Sequence, residues 1–361
     1  MRSSAYINAW LRRALAPRRA SPMKILLIGP YPPPHGGISV HVSGIHRQLT
    51  AAGVQCEVLD TSHIRSRLRF AMALAPYAAG GWTLHLHTNG HNRNSWLLAL
   101  LCGTAGQWSG GCVLTLHSGM MPGYVRSGPV WRKELAGFTC RRYSRVICVG
   151  PELRDAAISL GTPVERTEVA PACLPTVAPD ISLDPQLQTW IQQHRPLLST
   201  ALFFRPEYGF DLLIEGLARL RRWHPSLGCL VMGSGEQYTE AAKRVRDAGL
   251  EDHLRLLGDV DHDTCLTLMS RSNVFVRPTL EDGDSISVRE ALALGVPVVA
   301  SRVGSRPLGA ILFHPGDVND MLGQIELALT GRNREAAPTA GSMDRLLDVY
   351  RQVREESCAS A

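Results

Sequence analysis

The sequence predicts an α/β protein of two parallel-sheet domains, on three observations. Apolar strand-like runs alternate with helix-length segments from Lys24 to Val149. The alternation breaks where prolines and acids replace it around residues 171–185, then restarts at Leu197. Near residues 274–300 the chain reads as strand, polar loop, helix and strand. Such alternation builds a parallel sheet with helices on both faces, and ligands of such sheets sit at the carboxyl ends of the strands. At 361 residues, 45% hydrophobic and 19% charged, the chain is long enough for two cores and ordinary in composition.

In the first half, strands are expected at 25–28, 56–59, 83–87, 113–116 and 146–149. The first runs into a Pro/Gly loop that ends in Gly36-Gly37 and opens a helix over 39–49. A glycine loop between strand and helix lets backbone amides approach a diphosphate, although a plain turn uses the same residues. The GxGxxG dinucleotide fingerprint is absent. Two strands end in histidine, at His87 and at His117 in Leu116-His117-Ser118-Gly119. His35, His41 and His46 show no i,i+4 ligand spacing and are expected to be solvated. Residues 68–75, preceded by Arg65, Arg67 and Arg69, form a basic and apolar patch. It suits a membrane surface, but a solvated face over a core stripe fits better.

The second set begins with a strand over 197–204, then Arg205-Pro206-Glu207-Tyr208-Gly209 and an amphipathic helix from Phe210 with apolar positions 210, 213, 214, 217 and 220. Strands at 229–232, 254–257 and 274–276 follow. After the last comes RPTLEDGDSISVREALALGVPVVAS, from Arg277 to Ser301. Here an acidic loop opens onto a helix N-terminus, where free amides and the dipole favour phosphate or sugar oxygens. Asp282 and Glu290 stand eight apart and are placed to face one cleft. A structural alternative stays open for Glu290, because Ser287-x-x-Glu290 also spells a capping box.

This stretch resembles the donor-site motif of family 4 glycosyltransferases, an acidic residue and seven others before Glu-Ala-Leu-Ala-x-Gly-x-Pro-Val-Val-Ala. The family's first residue is usually Glu, so Asp282 is a shortened version. Gly36-Gly37 and His117 are similar to the family's glycine loop and donor-contacting histidine, and residues 311–317 to its Pro-Gly-Asp turn. The likeness covers roughly residues 23–355 and fails at one place. The family carries an Arg and a Lys in the loop after the first strand of this domain, and here Phe203 and Tyr208 occupy those positions, with Arg205 nearby.

The resemblance implies the GT-B fold, two Rossmann-like domains facing across a cleft, and retaining transfer of a sugar from a nucleotide-sugar. Residues 1–22 are then a basic leader, 23–178 the acceptor-side domain, 179–195 a linker, 196–340 the donor domain, and 341–361 a helix crossing back. The catalytic set implied is His117, Arg205, Asp282 and Glu290. Glu290 would bind ribose hydroxyls and Asp282 the sugar hydroxyls, with Gly283 and Asp284 beside it. Ser285, Ile286 and Ser287 would offer helix amides, and Arg205 with Gly36 and Gly37 would steady the departing diphosphate. His87 is a weaker, acceptor-side candidate. No side-chain base is needed if the leaving phosphate takes the acceptor proton.

Asp282-Gly283-Asp284 also spells the DxD of GT-A enzymes, but it lies in a second α/β domain, so no metal and no cofactor is expected. The expected partners are the nucleotide-sugar, a glycan or lipid-linked acceptor and a membrane surface; nucleic acid is not among them. Cell-envelope or exopolysaccharide assembly is the commonest role among similar proteins. The rival is a non-catalytic nucleotide-sugar binder or partner subunit whose diphosphate site has decayed.

No run of 18 apolar residues exists, and nine scattered cysteines without a CxxC pair fit reduced thiols. The expected location is therefore cytoplasmic, with a peripheral place on the inner membrane face left open. Net charge is +6, and Arg12, Arg13, Arg18, Arg19, Arg126, Arg132 and Lys133 weight the excess toward the first half, which suits an anionic partner. Residues 1–22 carry Ile7, Trp10, Leu11 and Leu15 at helical spacing beside Arg12, Arg13, Arg18 and Arg19, which fits an interfacial helix. A disordered leader ahead of the second methionine, Met23, fits equally.

Overall fold

The computed structural model describes residues 23–64, 66–170, 179, 181–331 and 342–360. The expected leader, Arg65 of the basic patch, Cys173 and most of the proline-rich stretch lie outside them. Among the described residues no helix is long and apolar enough to cross a membrane, and eight cysteines are free thiols.

Two six-stranded sheets form the frame. The first contains β1 (Lys24–Gly29), β2 (Gln55–Asp60), β3 (Thr83–Thr88), β4 (Cys112–Leu116), β5 (Arg145–Cys148) and β6 (Thr167–Val169), all parallel, in the order β2-β1-β3-β4-β5-β6. Its inner strands are buried on both faces, which is why they read as continuous apolar runs instead of alternating. Helices α1 (Gly37–Ala51), α2 (Arg67–Ala79), α3 (Arg93–Ala105), α4 (Met120–Arg126), α5 (Val130–Cys140) and α6 (Pro151–Ser159) connect them.

After α7 (Pro185–Gln193), the second sheet contains β7 (Leu197–Ala201), β8 (Gly228–Met232), β9 (Leu254–Gly258), β10 (Val274–Arg277), β11 (Val298–Ser301) and β12 (Ile311–Phe313), again parallel, in the order β12-β11-β10-β7-β8-β9. Its helices are α8 (Phe210–Leu220), α9 (Tyr238–Asp247), α10 (His262–Ser270), α11 (Ile286–Ala293) and α12 (Val318–Leu329). In α8, Phe210, Leu213, Leu217 and Leu220 are buried, as their spacing requires. Strand order reverses between β1 and β3 in one sheet and between β7 and β10 in the other. A doubly wound sheet opens its ligand crevice at such a switch point. Together the two sheets form the GT-B fold.

Several sequence-based expectations need correction. The segment expected as linker at 179–195 carries α7, with Asp184 accepting from the amides of Gln186 and Leu187 and Pro185 opening the helix. Trp190 and Ile191 bury it against the second sheet. The strand expected to reach residue 204 stops at Ala201 and turns into the loop that carries Arg205. The basic patch on α2 splits: Phe70 and Leu74 are buried, while Leu68 and Met72 are 71% and 65% exposed.

The last helix, α13 (Ser342–Ser360), packs on the first domain. Leu346, Val349, Tyr350 and Val353 join Ile25, Leu27 and Val42 in one core. Arg145 on β5 donates to both carboxylate oxygens of Glu356 at 3.0 and 2.7 Å, and Arg345 donates to Glu168 at 3.1 Å. Through α13 the end of the chain belongs to the first domain's interior.

Candidate active site

The switch points of the two sheets face each other across a cleft of about 440 Å³. Its walls bring together Gly36, Gly37, His117, Arg205, Asp282, Asp284, Ser285, Ile286, Ser287 and Glu290. Residues spread over some 250 positions of sequence therefore meet at one place. Gly283, expected to present its amide to a ligand, is not on the wall. It lies against the first domain, where a Cβ would come within 2.1 Å of the His117 carbonyl oxygen. Reciprocally, a Cβ on Gly119 would stand 1.8 Å from the Asp282 carbonyl oxygen. Glycine at both positions lets the domains approach this closely.

Two helix N-termini open on the cleft. On α1 the Gly36 N–H donates to Ser39 Oγ at 2.8 Å. On α11 the N-cap Ser285 makes no side-chain cap bond, so its own oxygen does not use the first-turn amides. Both ends turn partial positive charge toward the space between the domains.

The loop after β7 is fixed by Gly209. Its φ of +69° suits glycine, and a Cβ there would meet the Pro278 carbonyl oxygen at 1.9 Å. Leu280 N–H donates to Glu207 O at 2.7 Å, tying this loop to the one after β10. Phe203 and Tyr208 pair edge to face with centroids 5.8 Å apart. Each carries a guanidinium: Arg205 lies 5.7 Å from the Phe203 centroid and Arg277 5.1 Å from the Tyr208 centroid. Phe203 also fills the space beside Gly36, whose Cβ would stand 2.7 Å from the ring. Phe203 and Tyr208, which stand where the family motif carries Arg and Lys, are thus aromatic supports for two arginines. Arg205 is exposed and forms no ion pair with a described residue.

Arg277 and Arg306 are the residues that sequence reasoning missed. Arg277 Nε donates to Asp282 Oδ2 at 3.1 Å and Nη1 donates to Ala201 O at 2.5 Å. Arg306 Nη1 donates to the same Asp282 oxygen at 3.0 Å, and the Gly283 amide donates to Oδ1 at 3.0 Å. Burial works to raise the Asp282 pKa, but the two guanidiniums outweigh it and leave it below its ordinary value. Asp282 nevertheless lines the cleft, and a sugar hydroxyl reaching it would share Oδ1 with the Gly283 amide. Asp284 is likewise gripped by Arg289 Nε at 2.7 and 2.8 Å. The DxD triplet is therefore a pair of salt-bridge acceptors.

Glu290 settles the capping question. The helix begins at Ile286, which puts Glu290 in the second turn, and its Oε1 accepts from His262 Nε2 on α10 at 2.6 Å. His262 Nδ1 lies 3.5 Å from Arg47 Nη2 on α1. The tautomer that satisfies both contacts carries its hydrogen on Nε2. The carboxylate is 3% exposed, so one oxygen is anchored by a chain of groups that crosses to the first domain.

On the first-domain side, His117 Nε2 lies 3.1 Å from His87 Nδ1, and His41 packs edge-on against both rings at 5.0 and 5.4 Å. His41 is 5% exposed, contrary to the expectation of a solvated ring. His46 is half-buried and pairs with Tyr31 OH at 3.2 Å. His35 N–H donates to Asp259 Oδ1 at 3.0 Å across the domains.

Comparison with known proteins matches this geometry to a family. Residues 192–338 fit the family described as glycosyl transferases group 1. That match spans most of the second domain. Similar proteins include the gpi3 subunit of phosphatidylinositol N-acetylglucosaminyltransferase from Schizosaccharomyces pombe, 26% identical over 51% of this chain and 40% of that protein. A phosphatidyl-myo-inositol mannosyltransferase of Mycobacterium leprae is 29% identical over 34% of this chain and 32% of that one. The chain thus spans less than half the length of these glycosyltransferase relatives. Among solved structures, Anabaena HepE in complex with UDP and glucose superposes with a TM-score of 0.67 at 17% identity, covering 94% of this chain and 99% of that one. Sucrose-phosphate synthase of Thermosynechococcus elongatus superposes with a TM-score of 0.66 at 19% identity, over 92% and 97%. At these identities the superpositions establish the glycosyltransferase fold shared by both domains.

Proposed function

We propose that this chain is a retaining glycosyltransferase of the family 4 type, which moves a sugar from a nucleotide-sugar to a glycan or lipid-linked acceptor. The observation that carries the reading is the pair of guanidiniums, Arg205 and Arg277, held over Phe203 and Tyr208 at the β7/β10 switch point. A departing nucleoside diphosphate gathers negative charge in the transition state. Fixed donors at that place lower the barrier because they need no reorganisation when the charge forms. The open N-termini of α1 and α11 add amides to the same anion.

Retention fits the protonation groups at hand. Asp282 is engaged by two arginines and Glu290 by His262, so neither carboxylate stands ready as a base or nucleophile. The leaving phosphate is then the group that takes the acceptor proton, on the face of the sugar that the acceptor attacks. Glu290 offers its remaining acceptor capacity to a ribose hydroxyl. The transfer so described draws on no metal and no cofactor of the donor domain.

UDP is the first base to test, since HepE is described with UDP and with UDP-glucose. The acceptor reading draws on relatives named for phosphatidylinositol substrates and on a first domain that exposes Leu68, Met72, Val130 and Trp131 among basic residues. We extend the reading to a place on the cytoplasmic membrane face in cell-envelope or exopolysaccharide assembly, which relatives named for phosphatidylinositol and lipopolysaccharide substrates support.

The displaced basic pair favours one rival, a nucleotide-sugar binder without turnover. Thermal shift with UDP, GDP and ADP, followed by donor-hydrolysis assay, separates the two. A nucleotide at ~100 times its Kd adds ~2.7 kcal/mol of stability. A rise in midpoint with slow release of sugar from the matching donor supports the enzyme; a rise without any release at high enzyme concentration supports the binder. No rise with any nucleotide defeats both.

A further inference from the structure

We propose that His41, His87 and His117 form a three-histidine site for a divalent transition metal of the zinc type, set in the first domain behind the cleft wall. The three come from different elements, His41 from the middle of α1, His87 from the end of β3 and His117 from the loop after β4. Each offers a ring nitrogen, and these nitrogens all lie within 4.8 Å of one another. Tetrahedral zinc holds imidazole nitrogens at about 2.0–2.1 Å, hence roughly 3.4 Å apart. His87 Nδ1 and His117 Nε2 already stand 3.1 Å apart.

Hydrogen bonding sets this cluster apart from the histidine packed beside it. A fourth histidine, His85, packs against His87 at a 35° tilt with centroids 4.1 Å apart, and the fold satisfies it completely. Its Nδ1 pairs with Tyr350 OH at 2.6 Å and its Nε2 with Thr115 Oγ1 at 2.7 Å. By contrast, His41 Nδ1 and His87 Nε2 are buried with no hydrogen-bond partner among the described residues. Buried polar atoms are nearly always paired, so two orphans in adjacent rings mark a missing partner. A metal ion supplies one that several imidazoles share.

The protonation state agrees. Burial pushes His41 down to about 4, and burial together with neighbouring histidines pushes His87 and His117 well below the usual imidazole range. Neutral imidazole is the form that binds a metal. Three nitrogen ligands without a carboxylate suit zinc, cobalt or nickel ahead of magnesium or calcium. His117 is the member on the cleft wall, which gives the ion its way in. The site stands independently of the donor reading, since uptake is measured without nucleotide.

The test titrates Co²⁺ into the chelator-treated full-length chain. The expected result is one Co²⁺ per chain with visible d–d bands that one equivalent of Zn²⁺ removes, and a Zn²⁺-dependent rise in melting midpoint. His41→Gln and His87→Gln should each weaken Co²⁺ binding at least tenfold. X-ray absorption on the zinc-loaded wild type should show about three imidazoles at ~2.0 Å, and this holds even if a variant fails to fold. Absence of stoichiometric Co²⁺ and Zn²⁺ uptake by the wild type, or a zinc shell without imidazoles, overturns the proposal. Water then fills the cluster instead.

Discussion

Arg277 lies over the Tyr208 ring at 5.1 Å from its centroid and donates through Nε to Asp282 at 3.1 Å, so one guanidinium is held by a face and an edge at once. Stacking and a charge-assisted bond together fix its plane. A flexible lysine in the same place meets only one of these constraints. The cleft wall thereby holds a cation of fixed orientation.

Replacing Arg277 with Gln should lower turnover by about 10²–10³-fold, the loss typical of one transition-state donor. Arg205→Ala should lower it by a similar factor. Arg277→Lys should recover less than half of the lost free energy, because the fork and the stacking are gone. Steady-state rates with the donor identified by thermal shift check all three, and circular dichroism confirms that the variants remain folded.

Asp282→Asn removes a buried carboxylate from between two arginines, a change of about 3–5 kcal/mol where such a pair is broken. The pH dependence has a definite sign. The folded-state pKa is depressed, so the stabilisation is present above the unfolded value near ~3.9 and is lost as pH falls through the lower folded value. The gap in unfolding free energy between wild type and variant should stay constant from about pH 8 to pH 5 and narrow only below about pH 4. Urea unfolding at a series of pH values reads it directly.

Gly283→Ala places a methyl where the His117 carbonyl now stands, 2.1 Å from a built Cβ. The contact is between domains, so each core should survive while the cleft is propped open. The expected outcome is a larger radius of gyration in solution scattering and a turnover loss of at least tenfold, with a melting midpoint close to wild type. An unchanged radius with full activity defeats the prediction.

His262→Ala leaves Glu290 buried without its 2.6 Å donor. An orphaned buried acceptor costs about 1–3 kcal/mol, more when charged. Saturating nucleotide should restore part of that loss if a ribose hydroxyl replaces the imidazole. The measurement is the difference in chemical stability with and without nucleotide, which should be larger in the variant than in wild type.

Much of the fold was legible because buried parallel strands write themselves as apolar runs bounded by Gly and Pro. Harder to see were β6 and β12, three-residue strands too short for any period. The helix α7 did leave a signal in Asp184-Pro185, an N-cap and first-turn proline, but the surrounding prolines masked it. At the candidate site, His117, Arg205 and the α11 residues, named through the family resemblance, do line the cleft. Arg277 and Arg306 were not named, since charge at the end of one buried strand gains meaning only when β10 lies beside β7 and the next loop folds back. His41 and His87 were invisible as a pair for the same reason: α1 and β3 bring together rings separated by 46 positions. Sequence spacing reports ligands on one element, and this cluster draws on three.

The packing of α13 also sets an order of events during synthesis. Leu346, Val349, Tyr350 and Val353 supply part of the interior shared with β1 and α1, yet the ribosome makes them some 300 residues after that strand. Domains emerging first generally fold first, but this one must wait with an open seam while the whole second domain is produced. A nascent chain stopped before residue 346 should therefore hold a first domain that is protease-sensitive along α1 and β1, and completing the last helix should close it.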